Sequence, residues 1–289
     1  MSLTDKPVIV VTGASRGVGK GCAIALGEKM GATVYVTGRS QQDGDAPLPG
    51  TIHATADEVT KRGGTGIAVA CDHRDDDQVR ALFDRVIADQ GRIDILVNNV
   101  FAVPDDLIEQ KPFWDRPMSH WSDMIDLGLR AHYLASACAA PHMVAQKEGL
   151  IVNISSPGAR CYIHSAIYGI GKAGADKMAQ DMAKELRPHT VAALSLWLGI
   201  VMTERTQEAM KAAPEAYEAL EPGLETPEYP GRIIAALAAD PDLMTRSGQA
   251  WYTAELGAEY GIEDANGRIP ASYRPMLGGP AEPSAAMIA

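Results

Sequence analysis

The feature that most constrains this chain is an alternation between two kinds of segment. Short apolar runs occupy residues 8–11, 33–37, 67–70, 93–97, 150–154 and 191–197, with a seventh at 248–253. Between them lie stretches of helical character at 20–30, 52–62, 75–90, 121–145, 166–186 and 232–239. A strand buried on both faces reads as a continuous apolar run, and parallel strands need a long, usually helical, crossover. The pattern therefore predicts an α/β fold: one domain over 1–289, built on a doubly wound parallel seven-stranded sheet. The chain has 289 residues, 46% of them apolar, with 28 glycines, which is enough for one large core and many tight corners. No internal repeat or second-domain linker interrupts it.

The first apolar run leads straight into Thr12-Gly13-Ala14-Ser15-Arg16-Gly17-Val18-Gly19, and then into a helix. Such a turn aims backbone N–H groups and a helix N-terminus at an anion. Its place after the first strand favours a dinucleotide pyrophosphate over a turn with no ligand. The second run ends in Thr37-Gly38-Arg39, where an NAD site usually carries Asp or Glu for the ribose 2′-hydroxyl. A cation at Arg39 suits the 2′-phosphate of NADP instead, and Arg16 offers a second one. The competing reading of Arg39 is a solvated loop charge. Asp72, after the third run, either accepts from an adenine amino group or caps the following helix.

The chemistry is expected between Ser156 and Lys172. Tyr168 and Lys172 are four apart, so they share a helix face. An ammonium near a phenol favours the phenolate and brings it toward useful acid–base range. Ser156 follows the fifth strand, where a hydroxyl can donate to a carbonyl or alkoxide oxygen. Tyr-x-x-x-Lys alone is a common helix pair; the surrounding pattern gives it weight.

The net charge is −11 with dispersed basic residues, which argues against nucleic-acid and anionic-membrane partners. Cys22, Cys71, Cys138 and Cys161 lack C-x-x-C spacing and read as reduced thiols of a cytoplasmic protein. The expected picture includes no signal peptide, no membrane span and no metal site, since the histidines are scattered. His164 alone lies near the catalytic stretch, as a substrate contact or as a loop histidine. The loop at 101–119, with Phe113 and Trp114, is either a pocket wall or packing against the fold. Residues 204–230 read as a mobile cover over the sheet, with Glu204 and Arg205 solvated. Residues 255–289 read as a C-terminal tail with little periodicity.

The motifs TGASRGVG at Thr12, NN at Asn98-Asn99, NISS at Asn153, YGIGK at Tyr168 and GIVMT at Gly199 stand in an order that resembles the short-chain dehydrogenase/reductase family. That resemblance implies a Rossmann-type sheet and NAD(P)-linked hydride transfer between a carbonyl and a secondary alcohol. With Arg39, the expected cofactor is NADP(H), NAD(H) being possible. The expected substrate is a small, apolar ketone, quinone or steroid-like molecule, and the expected assembly a homodimer or homotetramer. By resemblance Tyr168 is the acid/base, and Lys172 lowers its pKa and bonds the nicotinamide ribose. Ser156 holds the substrate oxygen, with Ser155 as its rival. Gly13, Ser15, Arg16, Gly17, Val18 and Gly19 form the phosphate turn. Asp72 and Asn99 lie toward adenine and ribose, and Ile200, Val201 and Thr203 toward the carboxamide. The chain departs from the family at Gly128, where Asn is frequent, at Leu198-Gly199 in place of Pro-Gly, and at Phe101, which is expected to crowd the nicotinamide side. Gly128 either leaves a water path or admits another helix or subunit. A regulatory dinucleotide-binding protein without turnover is the alternative reading.

Overall fold

The computed structural model describes residues 6–284 and residue 286. Seven strands form one sheet: β1 (Val8–Val11), β2 (Thr33–Gly38), β3 (Thr65–Ala70), β4 (Ile95–Asn98), β5 (Gly149–Ser155), β6 (Val191–Trp197) and, last in sequence, β9 (Ala250–Tyr252). Their order is β3-β2-β1-β4-β5-β6-β9, and every pairing is parallel. The order reverses between β1 and β4, which opens a crevice at the carboxyl ends of those strands.

The helices between these strands are α1 (Gly17–Met30), α2 (Ile52–Lys61), α3 (Asp76–Gln90), α4 (Ala131–Gln146) and α5 (Ala166–Leu186). Side chains alternate across a strand, so each strand feeds two cores. Ile9 and Val11 pack with Cys22, Leu26, Ile233 and Leu237 on one face. Val8 and Val10 pack with Leu82, Phe83, Met143 and Leu186 on the other. Helix starts are fixed by side-chain caps: Thr51 accepts from Ala54 N, Asp75 from Asp77 N and Gln78 N, and Ser165 from Tyr168 N. Asp75, not Asp72, therefore caps α3. Asp72 closes a tight local turn by accepting from Arg74 N at 3.0 Å.

Two sequence expectations are corrected. The helix expected over 121–145 is not continuous. A short turn at Ser119–Trp121 is followed by a π-helical segment at Ser122–Arg130, and regular α-helix begins only at Ala131. Apolar periodicity cannot report the extra residue per turn that a π segment inserts. The C-terminal stretch is also more ordered than its composition implies. After β7 (Ile200–Val201), α6 (Glu204–Ala212), β8 (Leu224–Glu225), α7 (Tyr229–Ala239) and α8 (Leu243–Arg246), helix α9 (Thr253–Tyr260) follows β9 directly, and α10 spans Arg274–Leu277. Tyr273 is buried against Trp197 and Tyr252. The expected fraying at the chain end falls largely on residues outside the described ones.

β7 pairs with β8 in a separate small sheet, which returns the 204–230 segment to the end of β6. Glu225 fastens it there: its Oε1 accepts from Gly199 N at 2.9 Å and from Thr253 Oγ1. Helices α1 and α7 approach at small residues. A Cβ on Gly21 would lie 1.9 Å from Pro227 O, and one on Gly231 would lie 2.8 Å from Cys22 Cα. Backbone cannot yield as a flexible side chain can. Gly21→Ala and Gly231→Ala are each expected to destabilise the fold by about 1–3 kcal/mol, read as a lower denaturant midpoint and a Tm reduced by several degrees.

Candidate active site

The glycine-rich turn connects β1 to α1. Gly13 and Gly17 have φ of +66° and +55°, a region that side-chain-bearing residues rarely enter. Gly19 serves close approach instead, since a Cβ there would fall 2.4 Å from both Asn99 Nδ2 and Gly13 O. Asn99 donates its amide to Thr12 O and Gly13 O at 2.9 and 3.0 Å. Its side chain thus holds the turn together. Ser15 is buried, and Val18 is half-buried.

Arg16 lies within this turn, and Arg39 follows the end of β2 beside it. The Arg16 guanidinium donates to Ser40 Oγ, Pro49 O and Gly50 O at 2.9–3.1 Å. Burial lowers its pKa; Glu204 opposes that effect and Arg39 adds to it. Two cations thus sense each other here. Arg39 is largely exposed, and its Nη1 lies 3.9 Å from Asp72 Oδ2. Glu204, expected to be solvated, instead accepts from Gly17 N at 3.1 Å, and Arg205 stands 3.5 Å from Asp105. Thr203 caps α6 through Thr206 N, while Ile200 and Val201 form β7.

At the end of β5 the two serines diverge. Ser155 is buried, and its hydroxyl donates to Lys172 O. Ser156 Oγ lies 2.9 Å from Tyr168 OH and also accepts from Gly158 N. Of the pair, only Ser156 meets the phenol. Gly158 permits this fit, because a Cβ there would sit 2.5 Å from Tyr168 Cε1. The ring of His164 stands edge-on to Tyr168 at 5.1 Å, on a backbone with φ +61°. The His164 carbonyl accepts from Arg116, whose loop thereby reaches the Ser156–Lys172 stretch. Phe113 and Trp114 of that loop stack edge-on with each other and stay about 70% exposed, at 68% and 72%, so they do not pack into the fold. Trp197 does: it is fully buried and donates Nε1 to Asp176 at 2.8 Å.

Lys172 lies one turn beyond Tyr168, as the spacing requires, but its ammonium does not touch the phenol. Nζ donates to Ile154 O at 3.2 Å and lies 5.7 Å from the Tyr168 ring centroid. Although Tyr168 is only half-buried as a residue, crowding around its hydroxyl pushes the phenol pKa up, against the Ser156 hydrogen bond, which lowers it. Burial is the largest influence on this phenol, and Lys172 is not among the groups that shift it. The same crowding brings Lys172 down to about 8, with Asp176 opposing. Asp176 was not singled out from sequence, yet it continues the spacing of Tyr168 and Lys172 by another four residues.

Gly128 is buried within the π-helical segment. The Phe101 ring fills the place: a Cβ on Gly128 would lie 2.6 Å from Phe101 Cδ2. The Phe101 ring is edge-on to Tyr168, with centroids 6.1 Å apart.

No helix among the described residues is long and apolar enough to cross a membrane, and no three His, Cys, Asp or Glu side chains among them could hold a metal ion. The family model for short chain dehydrogenase matches residues 7–214. Dehydrogenase/reductase SDR family member 1 of human and of mouse are each 41% identical over 276 residues, covering 92% of this chain and 85% of theirs. A metagenomic short-chain oxidoreductase solved with NADP is 30% identical, with a TM-score of 0.65 over 84% of this chain and 94% of that one. The 3-oxoacyl-[acyl-carrier protein] reductase from Brucella melitensis, solved with NAD, is 26% identical, with a TM-score of 0.73 over 86% and 95%. The glycine-rich turn, the paired Ser156 and Tyr168, the parallel sheet and these matches agree: this chain belongs to the short-chain dehydrogenase/reductase family, oxidoreductases that use a dinucleotide cofactor on small molecules.

Proposed function

We propose that the protein is an NADP(H)-preferring carbonyl reductase or secondary-alcohol dehydrogenase. The observation that carries this reading is the 2.9 Å contact between Ser156 Oγ and Tyr168 OH, with Lys172 one helical turn further on. In the reductive direction, a substrate carbonyl accepts hydrogen bonds from Ser156 and Tyr168, and Tyr168 gives up its proton as the alkoxide forms. A bound nicotinamide would supply the hydride. A raised phenol pKa keeps Tyr168 protonated until that moment, which suits a general acid. The turn Gly13–Gly19 would hold the pyrophosphate, and Lys172 would bond the ribose. Ile200, Val201 and Thr203 would contact the carboxamide, and Asp72 and Asn99 would lie on the adenine and ribose sides.

The preference for NADP rests on two neighbouring cations, Arg16 in the glycine-rich turn and Arg39 just after β2, with no carboxylate at Thr37. A dianionic 2′-phosphate bound near both would relieve their mutual repulsion. Asp72, close to Arg39, tempers the effect. An apolar substrate is supported by the exposed Phe113, Trp114 and Met118 on the loop whose Arg116 reaches His164. The 204–230 segment, hung between Gly17 and Gly199 by Glu204 and Glu225, acts as the cover.

A homodimer is supported by an apolar groove between the π segment, α4 and α5, lined by Leu129, Tyr133, Ala137, Gly174, Met178 and Met182. Tyr133 in it is 61% exposed. Arg in place of Ala137 is expected to convert the assembly to monomers in light scattering; a wild-type monomer at micromolar concentration removes the groove as an interface.

Oxidation of NADPH in the presence of a panel of ketones, quinones and steroids tests the reaction. Tyr168→Phe is expected to reduce turnover by about 10²–10⁴-fold, the range of general acid catalysis, while NADPH still binds. NADPH binding without turnover by the wild type favours a regulatory protein instead. Arg39→Gln is expected to weaken NADPH by roughly ten- to a hundredfold, the worth of a charge-assisted hydrogen bond, and to leave NADH almost unchanged. Equal losses for both cofactors in a titration count against a 2′-phosphate contact.

A further inference from the structure

Lys172 makes a contact that its proposed chemistry does not require. Its Nζ lies 4.8 Å from the centroid of the Phe101 ring, within the roughly 6 Å reach of a cation–π interaction. The ring is held in place from several sides. Just before it, the amides of Asn99 and Val100 both donate to Thr12 Oγ1, at 2.9 and 3.1 Å. The Val100 carbonyl accepts from His132 Nε2 at 2.8 Å, and because a carbonyl only accepts, that nitrogen carries the proton. The ring edge meets Tyr168 at an interplanar angle of 83°. Its far side enters the space over Gly128, where a Cβ would come within 2.6 and 2.9 Å of two ring carbons. That notch lies in the π-helical segment, one turn before His132.

We propose that Phe101 is a positioning residue whose ring seats the Lys172 ammonium, and that Gly128 is the notch that admits the ring. The proposal rests on the reading of Lys172 as part of the catalytic group. Crowding disfavours the ammonium and brings Lys172 down to about 8. An aromatic face opposes that loss, because its negative quadrupole attracts the cation. The charged and titratable groups around the ammonium are few. Asp176 and Tyr168 lie on its own helix, and His132 lies across from it, held neutral with a pKa of about 3 by burial. From β5 it meets only the Ile154 carbonyl. The ring thus fixes where the ammonium points and helps keep it charged at neutral pH.

The test is a carbon-13 NMR titration of the lysine Cε resonances of the full chain, with Lys172 assigned by its loss in Lys172→Met. Phe101→Leu keeps apolar bulk and removes the aromatic face. A lost cation–π contact destabilises the ammonium, so the Lys172 midpoint should fall by about half a unit to one unit. Phe101→Tyr should leave it in place. Gly128→Ala drives the ring out of its notch and should lower the midpoint as Phe101→Leu does, and the double variant should fall no further. In any turnover assay the alkaline limb should move with the midpoint, since activity that needs the ammonium is lost as pH rises through the lysine pKa. An unchanged or raised midpoint in Phe101→Leu overturns the proposal, as does a Gly128→Ala effect that simply adds to it. Should Phe101→Leu not fold, the contrast between Gly128→Ala and Phe101→Tyr decides alone. The titration needs no substrate, so a failure of the catalytic reading appears separately, as a wild type without turnover and with the midpoint shift intact.

Discussion

The hydroxyl of Thr12 is the point on which the site depends. It accepts from the amides of Asn99 and Val100, and Asn99 in turn donates its side chain to Thr12 O and Gly13 O. These bonds weld the end of β1 to the end of β4, across the place where the strand order reverses. Parallel strands diverge at such a point and leave backbone groups without ladder partners. Here side chains satisfy them. The glycine-rich turn, the Phe101 ring and the approach to Lys172 are all consequences of that join.

A second constraint is the crowding around Tyr168 and Lys172. Crowding moves a phenol and an ammonium in opposite directions: Tyr168 rises and Lys172 falls. Both shifts favour neutral forms, so the pair resists holding separated charge. Local contacts are left to adjust the balance. Ser156 pulls the phenol back, and Asp176 and the Phe101 face support the ammonium. With its pKa at about 8, Lys172 is still mostly the ammonium at neutral pH, and the phenol stays protonated.

Much of this was legible in the sequence because it follows from local rules. Buried parallel strands must be apolar throughout, and β1 and β6 begin and end where their apolar runs do. The glycine spacing and the four-residue step from Tyr168 to Lys172 are likewise backbone geometry. What escaped depends on partners far apart in the chain. The π segment at Ser122–Arg130 leaves no mark in hydrophobic periodicity. Ser156 is favoured over Ser155 already by the resemblance, but that its hydroxyl meets the phenol depends on one step of strand alternation at the edge of β5. Glu204 reads as a surface charge until α6 is laid against the turn at Gly17. Phe101 and Gly128 each stood out as a departure, but that one fills the other is a fact of three dimensions.

That complementarity narrows the routes by which the sequence can drift. A larger residue at position 128 collides with the ring, and a smaller one at position 101 leaves a hole beside the lysine. Either change alone passes through a less fit intermediate, because interiors tolerate neither overlap nor void. The two positions form an epistatic pair: a lineage holding Phe and Gly is committed to keeping both, unless a neighbouring loop first moves to absorb the difference. An alternative polar solution at position 128 is then separated from this one by a barrier in sequence space, even where both support the same reaction.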